Sequence, residues 1–520
     1  MTSTKSCILI SLFLVCSVLS YGKSFKQLLK AAQKGDIEAQ TEVGVRYFEG
    51  DGVQQDYEQA YYWYKSAAEQ GERYAQILLG YMYFNGDYVS QDFDTAFYWA
   101  EKAAHQEVPE AQYMLGLCYD GGLGVDEDDV QAFYWYQKAA DKEVPEAQYM
   151  LGLCYDGGIG VSKDYQKAYY WYQKAADKEV PEAQLAVGLC YDGGIGVSKD
   201  YQKAFYWYKT AAEQGERYAQ TLLGIRYYNG DYVSQGFDTA YYWINKAAHQ
   251  EVPEAQYMLG LCYDGGIGVS KDYQKAYYWY QKAADKEVPE AQRVTGICYY
   301  EGIGVAKDYR KAFDWFSKAS AKGDSIAKYC LGVMYYEGLG RDKDYKQAFY
   351  WFKSAAEQGV EDSFWLLAEM YYQGVGVAKD DKQAFYWAEK AAKLEYPQAQ
   401  YLMGLLYWDS EVVESNEEKV IAYFERAALQ NHIEAQVLLG RIYIDGKIGP
   451  QNINSAIFWY TKAAEQGDPE GQYFIAEFNV LAGDDEQAFY WYKKSAAQKF
   501  EPAIKRLKAK KETGSFWPRK

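Results

Sequence analysis

The sequence repeats itself with a period of 36 residues, and this period restricts the chain to a tandem-repeat architecture. Thirteen repeats align on the small residue that opens each of them. The opening residues, each 36 after the last, are Ala39, Ala75, Ala111, Ala147, Ala183, Ala219, Ala255, Ala291, Ala327, Ser363, Ala399, Ala435 and Gly471. No position interrupts the pattern for long enough to form a linker, so we expect one array instead of several separate domains.

Each repeat carries the signature of two helices. Counted from the opening residue, a small residue recurs at +5, Tyr at +8, Gly at +11, Asp at +17, Trp at +24 and Ala-Ala at +28 and +29. In the fourth repeat these are Gly152, Tyr155, Gly158, Asp164, Trp171, Ala175 and Ala176. Glycine at +11 suits the left-handed end of a first helix, and aspartate at +17 is a good N-cap for a second. Because glycine inside a helix costs ~1 kcal/mol relative to alanine, glycine at +5 predicts that a neighbouring helix passes too close for a side chain.

A single helix pair cannot bury its apolar face, so the repeats are expected to stack into an all-α solenoid. At the front, Ala31 and Ala32 occupy the +28 and +29 register, which predicts that residues 25–34 form a lone second helix that caps the array. At the rear, the polar, Lys-rich helix around Ala503 is expected to form the other cap. We therefore place the repeat region at residues 23–505 and a Lys-rich C-terminal tail at residues 506–520.

The N-terminus reads as a secretory signal peptide of residues 1–22. Lys5 precedes an apolar run from Ile8 to Leu19, and small residues stand before a cleavage point at Lys23. The alternative is a membrane anchor, but the run is shorter than the ~20 residues that a spanning helix needs. We expect an exported chain that does not insert into the membrane after cleavage.

The repeat motif resembles that of the Sel-one-like repeat (SLR) family, a relative of the tetratricopeptide repeat. The resemblance rests on segments such as AQYMLGLCY at 147–155 and KAYYWY at 167–172. It implies a right-handed superhelix that scaffolds protein complexes, either in the endoplasmic reticulum or in exported bacterial proteins that meet host cells. We therefore expect a periplasmic or secreted adaptor of the bacterial envelope or of host interaction (in a eukaryote, a protein of the endoplasmic reticulum lumen).

The resemblance also raises a second hypothesis. A cysteine-rich branch of the family is linked to β-lactam binding or hydrolysis, which would make this chain a periplasmic binder or hydrolase of β-lactams or cell-wall fragments. That branch pairs cysteines between the two helices of a repeat, whereas no repeat here holds two. Equivalent positions on stacked helices lie ~8–10 Å apart, beyond the ~7 Å limit between the Cα atoms of a disulfide. We expect six free, mostly buried thiols and no metal or cofactor.

Other sequence evidence for catalytic residues is weak, so we expect a protein that is not an enzyme. His105 and His249 occupy the same place in two nearly identical blocks, and a duplicated histidine before a proline is expected at the surface. The formal net charge is -18, and the basic residues cluster only in the last helix, at Lys505 to Lys511. This balance argues against nucleic acid as a partner, because such binding needs a basic surface.

Since the sequence favours neither catalysis nor nucleic-acid binding, we look for function in a binding surface on the first helices. Positions +2, +6 and +9 face away from the paired second helix, and in helix-pair solenoids this side lines a concave groove. The predicted ligand-binding residues at +2 and +9 are Tyr113, Asp120, Tyr149, Asp156, Asp192, Tyr257, Asp264, Tyr329, Trp365 and Tyr401. Tyrosine and tryptophan are favoured anchors of binding surfaces, and the aspartates favour a basic peptide or helix of a partner protein. The alternative is that the +2 aromatics only fill space between repeats.

Overall fold

The computed structural model describes residues 24–409, 414 and 416–516, which form 28 α-helices and no strand. The all-α prediction is confirmed, while the predicted signal peptide lies outside the described residues. The helices are α1 Phe25–Ala32, α2 Ile37–Glu49, α3 Tyr57–Glu69, α4 Arg73–Asn85, α5 Phe93–His105, α6 Pro109–Gly121, α7 Asp129–Asp141, α8 Pro145–Gly157, α9 Tyr165–Asp177, α10 Pro181–Gly193, α11 Tyr201–Glu213, α12 Arg217–Asn229, α13 Phe237–His249, α14 Pro253–Gly265, α15 Tyr273–Asp285, α16 Pro289–Glu301, α17 Tyr309–Ala321, α18 Ser325–Glu337, α19 Tyr345–Glu357, α20 Asp362–Gln373, α21 Asp381–Lys393, α22 Pro397–Asp409, α23 Glu417–Leu429, α24 Ile433–Asp445, α25 Ile453–Glu465, α26 Pro469–Leu481, α27 Asp485–Ala497 and α28 Glu501–Thr513.

The chain divides into two compact units, with a boundary between Lys271 and Asp272. The N-terminal unit contains α1–α14 and the C-terminal unit contains α15–α28. From α2 onward, even-numbered helices are the first helices of the repeats and odd-numbered helices are the second helices. Within each unit, every helix packs against the helix before it and the helix after it. The predicted array of thirteen helix pairs is therefore present.

The predicted helix ends are confirmed. Gly158, at +11, ends α8 with a φ of 76°, and the Asp164 side chain accepts a hydrogen bond from the backbone N–H of Lys167 at 3.0 Å. The second glycine of the loop has a different role. A Cβ on Gly160 would lie 2.0 Å from the carbonyl oxygen of Asp129 in the preceding repeat. The Gly-x-Gly loop therefore docks on the backbone of the previous second helix.

The glycine at +5 makes room for a ring. A Cβ on Gly152 would lie 2.5 Å from two ring carbons of Tyr172, the +25 residue of the second helix in the same repeat. The predicted close approach is confirmed, and its cause is an aromatic side chain. In the tenth repeat the +25 residue is Ala388, and there the +5 residue is Ala368. The pairing is not strict, because the second repeat combines Gly80 with Ala100, and in the last repeat Ala476 and Tyr492 lie in one buried cluster.

Successive repeats are joined by rings and by buried amides. The hydroxyls of Tyr169 and Tyr191, from neighbouring repeats, lie 2.8 Å apart, and their rings meet edge to face. A buried glutamine at +1, which the sequence analysis did not single out, forms a second joint. Gln220 donates to the carbonyl of Ala212 at 3.1 Å and accepts from the side-chain amide of Gln250 at 2.8 Å. At these residues the hydrogen bonds satisfy polar groups that packing removes from water.

Both ends of the array are capped as expected. At the front, Leu28 and Ala32 of α1 are buried against the first repeat. At the rear, Ala503 of α28 is buried, and the Arg506 guanidinium lies 2.7 Å from the Glu477 carboxylate. Helix α28 runs past residue 505, and the buried ring of Phe516 packs 5.0 Å from that of Tyr492. Much of the segment after residue 505 is therefore part of the packed cap.

Candidate protein-binding face

The predicted binding surface consists of positions +2, +6 and +9 of the first helices, here called the A-face. In the first three repeats this face is closed. The +2 side chains Thr41, Ile77 and Tyr113 are only 1%, 1% and 4% exposed. The ring of Tyr113 lies 6.0 Å from that of Tyr136 on the second helix. Tyr113, predicted to bind ligand, is a core residue in this structure.

Farther along the chain the +2 aromatics become partly accessible. Tyr149 and Tyr257 are half-buried in the N-terminal unit, and Tyr329, Trp365 and Tyr401 are half-buried in the C-terminal unit. The rings still pack inward, since Tyr149 lies 5.9 Å from Tyr172 and Tyr329 lies 5.8 Å from Phe352. The +2 aromatics therefore fill space within their own repeats while they expose one part of the ring.

Asp120, Asp156 and Asp192 each accept a hydrogen bond from a tyrosine of their own repeat, and Asp264 is half-buried like them. The Tyr hydroxyls of 136, 172 and 208 donate to the +9 carboxylates at 3.2, 3.4 and 3.4 Å. Burial raises the pKa of Asp120, and the hydrogen bond from Tyr136 partly offsets that rise. Asp192 also pairs with Arg226 of the following repeat at 2.5 Å. These carboxylates hold the two helices of a repeat together, and part of the expected negative charge is neutralised.

In the C-terminal unit the A-face contains two adjoining cavities. A cavity of about 300 Å³ spans the tenth and eleventh repeats and reaches the start of the twelfth. It is lined by Trp365, Glu369, Tyr372, Gln373, Gln398, Tyr401, Leu402, Leu405, His432 and Glu434. A second cavity of about 210 Å³ shares Tyr401 and Glu434 with the first and continues to Arg441 and Asp468. Two predicted residues, Trp365 and Tyr401, are thus brought to one concave surface.

The larger cavity combines aromatic rings with two carboxylates. Tyr401 stacks on His432, with ring centroids 4.7 Å apart. The His432 Nδ1 accepts from the backbone N–H of Ala435 at 3.3 Å and so caps α24. Burial lowers the pKa of His432, which favours the neutral ring that this bond requires. Burial also raises the pKa of Glu369, which accepts from the Gln373 amide at 2.9 Å.

Three lining residues, Glu369, His432 and Glu434, were not predicted from the sequence. One signal was available, because position +6 is apolar in most repeats (Leu117, Leu153, Leu261), and a carboxylate there departs from the pattern. His432 stands where other repeats place an acidic or apolar N-cap, so it also departs from the pattern. Residues that break the period, as well as those that follow it, therefore build this surface.

The other residues that could serve in catalysis or metal binding are either packed in the structural core or exposed at the surface. Among the described residues, six cysteines form no disulfide, five of them are buried, and burial raises the pKa of Cys118, Cys154 and Cys190 to about 12. His105 and His249 are exposed, as predicted. Among the residues that the structure describes, no three His, Cys, Asp or Glu side chains are grouped as a metal site would need. None of the helices in the described ranges has the length and hydropathy to cross a membrane.

These features define a solenoid protein of the helical-repeat class. The Sel1 repeat model matches thirteen consecutive segments: residues 37–72, 73–108, 109–144, 145–180, 181–216, 217–252, 253–288, 289–324, 325–360, 365–396, 397–432, 433–468 and 469–500. The chain belongs to the Sel1 repeat family, as its motifs predicted. Proteins of this family generally mediate protein–protein interactions and are typically not catalytic.

Two solved structures are similar to this chain. The first is c5321, described as a protective antigen present in uropathogenic Escherichia coli strains displaying an SLR fold. It is 32% identical, and the match covers 86% of this chain and 96% of that chain with a TM-score of 0.70. A Sel1 repeat protein from Oxalobacter formigenes is 31% identical over 59% of this chain and 90% of that chain, with a TM-score of 0.44. A comparison with curated proteins gives no match.

Proposed function

We propose that this chain is a protein-interaction scaffold that binds a Lys- or Arg-bearing segment of a partner protein. The site is the A-face of the C-terminal unit, centred on Trp365 and Tyr401. One observation carries the proposal: the larger cavity is lined by four aromatic rings and two carboxylates, and by no lysine or arginine. Such a lining complements a cationic side chain.

The physical basis is the two-part character of lysine and arginine. Their aliphatic stems pack on apolar and aromatic surface while the charged head reaches a polar partner. Here Trp365 and Tyr401 offer the rings, and Glu369 and Glu434 offer the carboxylates. Tryptophan and tyrosine also lose little conformational entropy on binding, which suits them as anchors. We therefore place the anchor of the partner segment in this cavity.

The second cavity extends the site and indicates what shape of ligand the site can bind. It shares Tyr401 and Glu434 with the first, so a segment bound to both would follow the A-face over successive first helices. The Arg441 guanidinium in the second cavity is already paired with Glu470. An extended or helical peptide with one basic anchor fits this arrangement better than a strongly basic surface.

We also propose that the chain is exported and acts as an adaptor of the bacterial envelope or of host interaction. The signal peptide predicted from the sequence at residues 1–22 supports this setting. The similarity to c5321, called a protective antigen, agrees with it.

Site-specific photo-cross-linking tests the proposal. A photoreactive phenylalanine replaces Leu405 in the cavity and, as a control, Leu429, which is 69% exposed on a second helix of the same unit. We expect one partner to cross-link at 405 and not at 429. The cross-linked segment is then synthesised, and its affinity is measured by calorimetry.

Three variants complete the test. Trp365→Ala with Tyr401→Ala should weaken binding of this segment by ~2–4 kcal/mol if both are anchors. Glu369→Gln with Glu434→Gln should reduce the salt dependence of binding, and Leu429→Ala should change nothing. A peptide whose lysines and arginines are replaced by methionine should bind more weakly than the parent peptide. Equal affinity of the parent chain and both cavity variants for the peptide would contradict the proposal.

A further inference from the structure

The second helices carry a row of exposed aromatic rings. Position +23 is aromatic in eleven of the thirteen repeats, if Tyr490 is counted for the last repeat, whose loop is four residues shorter, and in the N-terminal unit it is tyrosine in six repeats without a gap. These residues, here called the tyrosine row, are Tyr62, Tyr98, Tyr134, Tyr170, Tyr206 and Tyr242. Their exposed fractions range from 45% to 60%. The row lies on the second helices and shares no residue with the A-face.

The fold does not require these rings. In the C-terminal unit the same position is Asp314 in one repeat and Ala422 in another, and both are exposed. The helices that bear them, α17 and α23, have the same 13-residue length as the other second helices. An aromatic ring that does not contribute to a core, yet recurs in six successive repeats, indicates a binding surface.

Each ring of the row has a fixed position. It meets the tryptophan that follows it edge to face, with centroids 4.9 to 5.3 Å apart. In four of the six repeats a lysine at +27 lies over the ring, with its Nζ 4.4 to 5.1 Å from the centroid. These are Lys102, Lys138, Lys174 and Lys246. The rings and lysines are therefore held in place before a ligand arrives.

The four lysines keep their charge for a ligand. None of them forms an ion pair with a carboxylate in the described part of the chain, although neighbouring lysines such as Lys142 and Lys178 do. Where +27 is Ser66 or Thr210, the ring is more open, at 59% and 60% exposed. The surface thus combines flat apolar rings with lysines that contact the rings and form no ion pair with a carboxylate in the described part of the chain.

The rings form a continuous row because successive second helices lie side by side. The Lys142 ammonium at the end of α7 pairs with Glu107 after α5 at 3.1 Å, and Lys178 pairs with Glu143 at the same distance one repeat later. The rings of His105 and Trp135, from α5 and α7, lie 5.8 Å apart. With helices packed at ~8–10 Å, the row presents about one tyrosine per 8–10 Å.

We propose that the tyrosine row binds an extended acidic polysaccharide. The C–H faces of its pyranose rings would pack on the tyrosine rings, and its carboxylates would pair with the lysines at +27. A polymer of identical sugar units matches a row of identical subsites, whereas a folded protein presents different side chains along its length. Sugar rings also offer the combination of apolar faces and polar edges that the row requires.

Charge spacing favours a polysaccharide over nucleic acid. A nucleic acid strand carries a phosphate about every 3.4 Å, which is much denser than one lysine per repeat, and the net charge of -18 opposes so dense a polyanion. A polymer in which only every second sugar is a uronate, such as hyaluronate, has a much lower charge density. Because charges are screened beyond ~8 Å at physiological ionic strength, the local lysines dominate its contacts.

Affinity electrophoresis and calorimetry with the mature chain, residues 23–520, test this inference. The probes are polygalacturonate, alginate and hyaluronate, with dextran as the neutral polymer, poly(dT) as the nucleic acid and phosphatidylglycerol vesicles as the lipid surface. We expect at least one uronate polymer to bind more tightly than all three comparison probes.

Two variants and one control locate the site. Tyr134→Ser, Tyr170→Ser and Tyr206→Ser together should weaken binding about tenfold or more, as expected for loss of aromatic anchors. Lys102→Gln, Lys138→Gln and Lys174→Gln together should weaken it mainly at low salt. The control replaces exposed tyrosines outside the row: Tyr57→Ser, Tyr165→Ser and Tyr218→Ser. It should retain the parent affinity, and circular dichroism should show parent-like helix content in all three.

The inference is overturned if no uronate polymer binds, if poly(dT) or the vesicles bind more tightly, or if the control loses as much affinity as the row variant. The A-face variant Trp365→Ala with Tyr401→Ala should bind the polysaccharide as the parent does. A failure of the tyrosine row can therefore be told apart from a failure of the A-face.

Discussion

The contact between Gly152 and Tyr172 gives a sharp test of how each repeat is packed. A Cβ at residue 152 would lie 2.5 Å from two ring carbons of Tyr172 and 3.2 Å from a third. Alanine gains ~1 kcal/mol over glycine in a helix, but overpacking costs ~1–3 kcal/mol. A ring held between two helices cannot move aside easily, so we expect Gly152→Ala to destabilise the repeat by ~1–2 kcal/mol.

The sign of this effect should reverse when the ring is removed. In a Tyr172→Ala background, Gly152→Ala reproduces the natural pair Ala368 and Ala388. With no ring to oppose the methyl group, only the helix propensity remains, and the change should stabilise by ~1 kcal/mol. The coupling between the two positions should therefore be ~2–3 kcal/mol, well above the ~0.5 kcal/mol scatter of independent sites.

Hydrogen exchange of peptides from α8 and α9 measures these differences locally. A local readout is needed because repeats couple mainly to their neighbours, so that global unfolding is not one step. Gly80→Ala is the matched control: its Cβ would meet nothing closer than 3.4 Å, because residue 100 is alanine. It should be neutral or stabilising. If Gly152→Ala behaves like Gly80→Ala in the parent chain, or if the two changes at 152 and 172 are additive, the reasoning fails.

Three further predictions concern the buried polar groups. Gln220→Leu should destabilise its repeat by ~1–3 kcal/mol, because it removes two hydrogen bonds, one to the Ala212 carbonyl and one from the Gln250 amide, whereas Gln148→Leu removes only the bond to the Ala140 carbonyl and should cost less by hydrogen exchange. Burial raises the thiol pKa of Cys154 and Cys190 to about 12, so iodoacetamide at pH 8 should modify the native protein far more slowly than the unfolded chain, and equal rates would contradict this burial. Burial also raises the pKa of Glu146 above the ordinary glutamate value of 4.5, so the folded state binds its proton more tightly than the unfolded state does. The destabilisation that the ionised carboxylate causes at neutral pH should therefore decrease as pH falls toward 4.5. Glu146→Gln should stabilise the chain at pH 7 in urea titrations.

The 36-residue period of the sequence was sufficient to predict most of the fold. Glycine at +11 and aspartate at +17 each have one local role, to end a helix and to begin one, so their spacing alone located both helices. The lone cap at residues 25–34 followed from the same register. Even the close approach at +5 was predicted, although the sequence did not tell whether a backbone or a ring came close.

The site could be predicted only in part, because its accessibility depends on neighbouring repeats. Helices α6 and α8 have the same sequence, PEAQYMLGLCYDG, yet Tyr113 is buried and Tyr149 is half-exposed. Nothing in the repeat itself distinguishes them, so neighbouring repeats must make the difference. The tyrosine row was not predicted, because +23 and +24 are both aromatic in the sequence and only the folded chain shows that the rings at +23 are exposed.

The docking of each Gly-x-Gly loop on the preceding repeat affects how genes for such chains can change length. Gly160 sits against the backbone of residue 129, 31 positions earlier, and Gly196 sits in the same way against residue 165. An insertion of a few residues between these points would shift one joint out of place. Loss or gain of a whole 36-residue segment would leave every joint intact. Recombination between near-identical segments, such as those that encode α6, α8 and α14, should therefore yield folded chains with fewer or more repeats, and with a shorter or longer surface.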